Sequence, residues 1–274
     1  MDKSLKQLSL DHTLFAWSNQ KVLNPIHIKK AKGVYLYDDQ VKRYIDFSSQ
    51  LKNVNIGHGR QEITEAVRNQ MTSLSYVYPP FTTDPRGLLG EKLASTTPDH
   101  ITKTFFTLSG AESNENAIIL ARLFSGKHKI ITHYRSYHGA IMGAISAGGD
   151  PRKNHIDNQQ APNFIHSENP YYYRCPWYSF SFEECGDRAI KNLENTIFYE
   201  WPNDIAAILL EGESVPSGCI KYPPFYLKKL NNLCKKYDIL LIIDEFMSGF
   251  CRSGKSFGYE HHDFDLQMLL LEYL

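Results

Sequence analysis

The chain has 274 residues, long enough for one large domain or two ordinary ones, each with a full-sized core. Hydrophobic residues make up 42% and charged residues 22%, as in ordinary soluble globular proteins. Lys plus Arg and Asp plus Glu both number 30, a balance that argues against a nucleic-acid or membrane-surface partner.

The first residues, from Met1 to Gln7, carry no apolar core of the kind a secretory signal needs. Residues 33–39 and 43–47 read as two short strands around an Asp-Asp-Gln turn, a hairpin. Gly57 and Gly59 allow tight turns in the loop that follows, and no helix of useful length is expected before Gln61. From there helix and strand patterns alternate. Ile63, Val67, Met71 and Leu74 fall on one helical stripe, 87–95 is a second helix closed by Thr97 and Pro98, and 103–108 reads as a strand. Ala117, Ile118, Leu120, Ala121 and Phe124 make a helix face, and 129–132 a strand. Residues 148–180 are irregular and rich in Pro, Asn and Tyr, the mark of a functional or disordered insert. Residues 183–199 are helical, 205–210 a buried strand far shorter than a membrane span, and 225–237 an amphipathic helix on Leu227, Leu230, Cys234 and Tyr237. Unbroken aliphatics from Ile239 to Ile243 then make a strand covered on both faces, ending on Asp244 and Glu245. This alternation predicts an α/β fold with a mainly parallel sheet between helices. Cys175, Cys185, Cys219, Cys234 and Cys251 are odd in number and form no CxxC pair, so reduced thiols and a cytoplasmic setting are expected.

In open α/β sheets, ligands sit outside the carboxyl ends of the strands, which places Asp244 for electrostatic work on something bound there. Glu211 ends another buried strand on what should be the same rim. The segment from Thr107 to Asn114 lies between a strand and a helix, and its free N–H groups could hold a phosphate. Ser109 and Glu112 could equally be a simple capping box. Tyr137 follows a strand end, where an aromatic ring can stack on a flat ligand, with His138 and Gly139 beside it. Gly249, Gly254, Lys255 and Ser256 match a nucleotide-binding phosphate loop, the alternative reading, but the acidic strand precedes this loop and no helix pattern follows it. The histidines lack HExxH spacing, so no metal site is expected.

Ser109 to Asn116, Tyr137 to Gly139, Glu211, and Asp244 to Gly254 resemble, in that order, the class III aminotransferases, pyridoxal-phosphate enzymes of fold type I. Flanking text agrees at Trp17, from Asp46 to Gln50, from Ile56 to Gly59, from Gly149 to Arg152 and from Tyr173 to Pro176. The resemblance runs from about Leu14 to about Asp265, and is most similar to the branch acting on ω-amino acids and amines, taurine–pyruvate and β-alanine–pyruvate aminotransferases included. It implies that residues 1–60 are a small-domain segment on the substrate side and 61–274 the cofactor-binding large domain, incomplete at its C-terminus. By the same resemblance, Gly110 and Ala111 N–H groups hold the cofactor phosphate and Ser109 caps the helix. Tyr137 stacks on the ring, His138 shapes the turn behind it, and Asp244 pairs with the ring nitrogen. Glu211 lies near Asp244 on the substrate side, while Trp17, Gln50 and Leu51 line the substrate pocket. Phe246 and Met247 replace the smaller aliphatic and the Gln usual beside the ring. Relatives continue into Ala-Lys-Gly, whose lysine is the Schiff-base residue; Tyr273 aligns there and has no amine. No catalytic residue is therefore expected in this chain, which reads as a truncated or frameshifted product, or a non-catalytic remnant. The implied full-length relative is a homodimer passing an amino group from an ω-amine or ω-amino acid to a 2-oxo acid such as pyruvate.

Overall fold

The computed structural model describes residues 4–264, 266 and 268–270, which form two compact units dividing after Phe81.

In the N-terminal unit, helix α1 (Leu5–His12) starts on Ser4, whose hydroxyl accepts from the Gln7 N–H at 3.2 Å. A helix here departs from the expectation of none before Gln61. It buries no residue, so its cap and not a core-facing stripe marks it. Strands β1 (Ile28–Lys32), β2 (Tyr35–Asp38) and β3 (Arg43–Ile45) form an antiparallel sheet in that order. The expected hairpin is its β2–β3 half; β1, with three lysines in five residues, carries no apolar alternation to betray it. In the single turn α2 (Ser49–Lys52), φ is 49° at Ser49, 51° at Gln50, 56° at Leu51 and 72° at Lys52. None of the four is glycine, and left-handed backbone costs about 1–2 kcal/mol per such residue. Asp46 offsets part of that: one oxygen accepts from the Gln50 N–H at 3.1 Å, the other pairs with His58 Nε2 at 2.7 Å. Helix α3 (Gln61–Ser73) follows the expected stripe, yet Ile63, Val67 and Met71 are all exposed. No described residue of this unit is fully buried.

The second unit runs through α4 (Asp84–Ala94), α5 (Gly110–Ser125), β4 (Lys129–His133), α6 (Met142–Ala147), β5 (Phe164–Ser167), α7 (Phe182–Tyr199), β6 (Ile205–Glu211), α8 (Tyr226–Tyr237), β7 (Leu240–Asp244) and β8 (Met268–Leu270). The strands form one wholly parallel sheet in the order β5-β4-β6-β7-β8. Successive strand residues face opposite sides, and the core divides accordingly. Ile131, Ile208, Leu210, Leu241 and Ile243 pack with Leu193 and Ile197 of α7 and Leu227, Leu230 and Cys234 of α8. Ile130, Ala207, Leu209 and Ile242 pack instead with Ala117, Ile118 and Ala121 of α5. All seven residues of β6 are buried, as a central strand covered on both faces requires.

Two expectations fail here. Residues 103–108 form no strand, because the segment pairs with no described neighbour, and Phe105 and Leu108 stay exposed. Residues 148–180 are not structureless: they hold a 3-10 helix (Pro151–Gln159), the edge strand β5 and a second 3-10 turn (Tyr172–Arg174). A four-residue strand that includes His and Ser shows too little apolar pattern to be read directly. Among the described residues, no helix is long and apolar enough to cross a membrane.

Candidate functional site

The β6–β7 ladder sets Glu211 directly beside Asp244. Strand alternation turns Asp244, like Ile242, and Glu211, like Ala207 and Leu209, toward the α5 side of the sheet. Asp244 Oδ2 accepts from His138 Nδ1 at 2.9 Å and from Asn114 Nδ2 at 3.0 Å. Its Oδ1 accepts the Phe246 N–H at 3.0 Å. A carboxylate offers about four lone-pair positions, so with three donors bound one acceptor position stays open on Oδ1. Burial opposes protonation of His138, but the hydrogen bond and charge of Asp244, with the charge of Glu211, outweigh it and raise its pKa. The other ring nitrogen lies 3.4 Å from Thr132 Oγ1.

Glu211 accepts from the Tyr137 N–H at 3.1 Å through Oε1 and from Ser214 Oγ at 2.9 Å through Oε2. Burial is the main cause of its pKa rising to about 7. Ser214 continues the chain, receiving Asn169 Nδ2 at 3.1 Å and meeting Ser217 Oγ at 2.7 Å. Glu245, one residue on, points away from this group. It accepts from Ser248 Oγ at 2.5 Å and from the N–H groups of Gly258 and Tyr259 at 2.9 and 2.8 Å, tying the loop after β7 back on itself.

Ser109 caps α5, its hydroxyl accepting from the Glu112 N–H at 3.2 Å, while Glu112 accepts from the Leu108 N–H at 2.9 Å. The capping reading is therefore correct, and it leaves the phosphate reading intact. A cap of this kind satisfies Glu112, whereas the N–H groups of Gly110 and Ala111 have no intrahelical acceptor. Gly139, at φ 133°, presses on that first turn: a Cβ there would lie 2.5 Å from the Ala111 Cβ. Tyr137 is half-buried, with the Arg152 guanidinium 3.5 Å from its ring centroid and Asp150 holding Arg152 Nε at 2.5 Å. Phe246 is 40% exposed and Met247 half-buried.

Of the residues singled out from sequence, His138 is hydrogen-bonded to Asp244 and the Tyr137 N–H to Glu211, and Ala111 meets the turn at Gly139. Trp17, Gln50 and Leu51 belong to the N-terminal unit, all three in left-handed backbone at φ 60°, 51° and 56°. Tyr273 lies outside the described residues. Sequence reasoning gave Asn114 no role, although it joins α5 to Asp244. The signal was a polar residue on a buried helical stripe, three and four positions before Ala117 and Ile118 and seven before Ala121. The phosphate-loop match fails: its residues lie in turns and bends, Lys255 Nζ donates to the Glu260 carbonyl at 2.6 Å, and the sole helix after it among the described residues is the short 3-10 helix Gly258–His261.

The parallel sheet thus carries paired acids at its strand tips, beside the start of α5 and the Tyr137–Gly139 turn. The model of the class-III aminotransferase family matches residues 16–271, and the chain belongs to that family. It is 30% identical over 258 residues to the hypotaurine/taurine–pyruvate aminotransferase of Paracoccus denitrificans, covering 92% of this chain and 55% of that protein. It is 31% identical over 270 residues to the putrescine–pyruvate aminotransferase of Pseudomonas aeruginosa, covering 93% and 58%. Among solved structures, the taurine:2-oxoglutarate aminotransferase of Bifidobacterium kashiwanohense, in complex with PLP and glutamate, superposes with a TM-score of 0.93 at 34% identity, over 99% of this chain and 62% of that one. The ω-transaminase of Pseudomonas jessenii in complex with PMP gives 0.93 at 31% identity, over 98% and 62%. The chain spans little more than half the length of the curated relatives it matches. Its fold is that of fold-type-I PLP-dependent transferases, and class-III aminotransferases depend on that cofactor.

Proposed function

We propose that this chain forms the cofactor-binding part of an aminotransferase that moves an amino group from an ω-amine or ω-amino acid to a 2-oxo acid such as pyruvate, using pyridoxal phosphate. The observation that carries this reading is the open acceptor position on Asp244 Oδ1, at a strand tip where His138 and Asn114 occupy the other oxygen. An anionic acceptor there keeps a pyridine nitrogen protonated, and bound pyridoxal phosphate supplies an electron sink for the carbanion formed on the substrate. Gly110 and Ala111 N–H groups, with the positive end of α5, hold a phosphate, and the Tyr137 ring covers one face of a flat ligand. Glu211, Phe246 and Met247 border the ring, and Ser109 fixes the helix start. By the resemblance, Trp17, Gln50 and Leu51 belong to the substrate side in the full-length relatives.

The taurine–pyruvate and putrescine–pyruvate activities named for two relatives support an amine donor and a 2-oxo acid acceptor. Residues up to about 60 act as a small-domain segment and the remainder as the large domain. The exposed apolar stripe on α3 supports a homodimer, and five free cysteines support a cytoplasmic setting. Tyr273 occupies the lysine position and offers no amine, so this chain by itself binds the cofactor without a covalent bond and does not complete the transfer.

Titration of purified chain with pyridoxal phosphate, followed by absorbance and thermal shift, tests the reading. Saturable binding that Asp244→Ala weakens at least tenfold is expected, with no shift from ATP. A borohydride-trapped adduct at one specific lysine, together with turnover, would overturn the assignment at Tyr273.

A further inference from the structure

Asn114 sits in the second turn of α5, 2% exposed, and its amide nitrogen faces three acceptors: the Gly110 carbonyl at 3.1 Å, the His138 carbonyl at 2.9 Å and Asp244 Oδ2 at 3.0 Å. Those three belong to the helix start, the Tyr137–Gly139 turn and the tip of β7. The amide orientation is fixed chemically, because a flipped side chain would set its carbonyl oxygen against three other oxygens. That orientation leaves Asn114 Oδ1 buried with no hydrogen-bond partner. A buried acceptor left unpaired is a cost to stability, and such exceptions call for a reason other than stability. An apolar residue here would continue the stripe of Ala117, Ile118 and Ala121 without that cost.

We propose that Asn114 is a positioning residue that clamps the Asp244 carboxylate, so that Oδ1 faces the ring nitrogen of the cofactor; this rests on the cofactor reading above. Asn114 and His138 both donate to Oδ2, and the Phe246 N–H reaches Oδ1 from the chain side. With the amide removed, the carboxylate is held only by His138 on Oδ2 and the Phe246 N–H on Oδ1, and its orientation about the terminal bond loosens. Its hold on a pyridine proton then weakens even though the acid itself is still present. The same amide ties the helix start to the turn carrying Tyr137, so the phosphate, ring-face and ring-nitrogen contacts are set by one side chain.

The test uses the whole chain and pyridoxal phosphate labelled with ¹⁵N in the ring. Affinity is read from cofactor absorbance, and nitrogen protonation from the ¹⁵N chemical shift as a function of pH. Asn114→Ala is expected to bind about tenfold or more weakly, the effect of losing one charge-assisted hydrogen bond. Its bound nitrogen should also lose its proton at lower pH than in the wild-type complex. Asn114→Asp is expected to bind still more weakly at pH 8 and to recover on acidification, when the new carboxyl is protonated and donates to Asp244. Wild-type affinity in Asn114→Ala, or weaker binding with an unchanged nitrogen titration, would overturn the proposal, since the latter is what a merely structural loss gives. If circular dichroism shows Asn114→Ala unfolded, the acid recovery of Asn114→Asp decides instead, and its absence counts against Asn114. Failure of the wild-type chain to bind pyridoxal phosphate is seen before any substitution, and it overturns the cofactor reading together with the ligand assigned to Asn114.

Discussion

Replacing Glu211 by Gln gives a stability change whose sign depends on pH. The carboxyl is 3% exposed, and burial lifts its pKa from the ordinary 4.5 to about 7. A raised folded-state pKa on an acid means that, between those values, the native chain holds a proton the unfolded chain has released. Stability therefore falls as pH rises from 4.5 to about 7, and the cost is then constant. At about 1.4 kcal/mol per pH unit, the burden is bounded at about 3 kcal/mol above neutrality. Glutamine removes it without breaking the local bonds. Its carbonyl accepts the Tyr137 N–H, and its amide donates to Ser214 Oγ, which turns its own hydrogen to Ser217. His138 loses one of the charges that raise it, which takes back part of the gain. Glu211→Gln is thus expected to be about 1–3 kcal/mol more stable than wild type at pH 8, and nearly equal to it below pH 4.5. Urea melts of both proteins across that range measure the gap. A variant less stable at pH 8, or a gap that does not open with pH, would refute the reasoning.

Glu245→Ala orphans the buried N–H groups of Gly258 and Tyr259 and is expected to cost about 2–5 kcal/mol in a urea melt. Gly139→Ala drives a methyl into the Ala111 backbone and Cβ; a loss of about 2–4 kcal/mol and weakened cofactor binding should be seen by calorimetry and titration. Leu230→Ala, at a fully buried position on α8, should cost about 2–5 kcal/mol. Brief iodoacetamide treatment of native protein should label exposed Cys219 and Cys251 while sparing buried Cys185 and Cys234, as counted by peptide mass spectrometry.

The legible parts of the chain were those where one period dominates. The buried strands β6 and β7 are short apolar runs, each following a clear helix, and their acidic ends follow from where the apolar runs stop. α5, α7 and α8 carry stripes of period 3.6, and all are found. Elements defined by neighbours were less legible. β1 and β5 are short and partly polar, while 103–108 has a strand's composition but no described partner. At the site, the acids, the tyrosine turn and the helix start were readable as residue types. The bond from Asn114 to Asp244 spans 130 positions, and no local pattern encodes a contact of that length.

Asp244 and Glu245 show how little local chemistry decides a role. They are adjacent, both acidic and both buried. Because successive strand residues point to opposite faces, Asp244 joins α5 and the Tyr137–Gly139 turn, while Glu245 turns to the loop that closes behind β7. A one-residue slip of β7 would exchange them, bringing the longer glutamate to His138 and leaving the loop N–H groups with an aspartate too short to reach both. Register resists such a slip, since it would also carry Leu241 and Ile243 out of the α7–α8 core and Ile242 out of the α5 core. The apolar residues of β7 thus fix which carboxylate meets His138 and Asn114, and packing energy that has no part in that contact aims the acid that makes it.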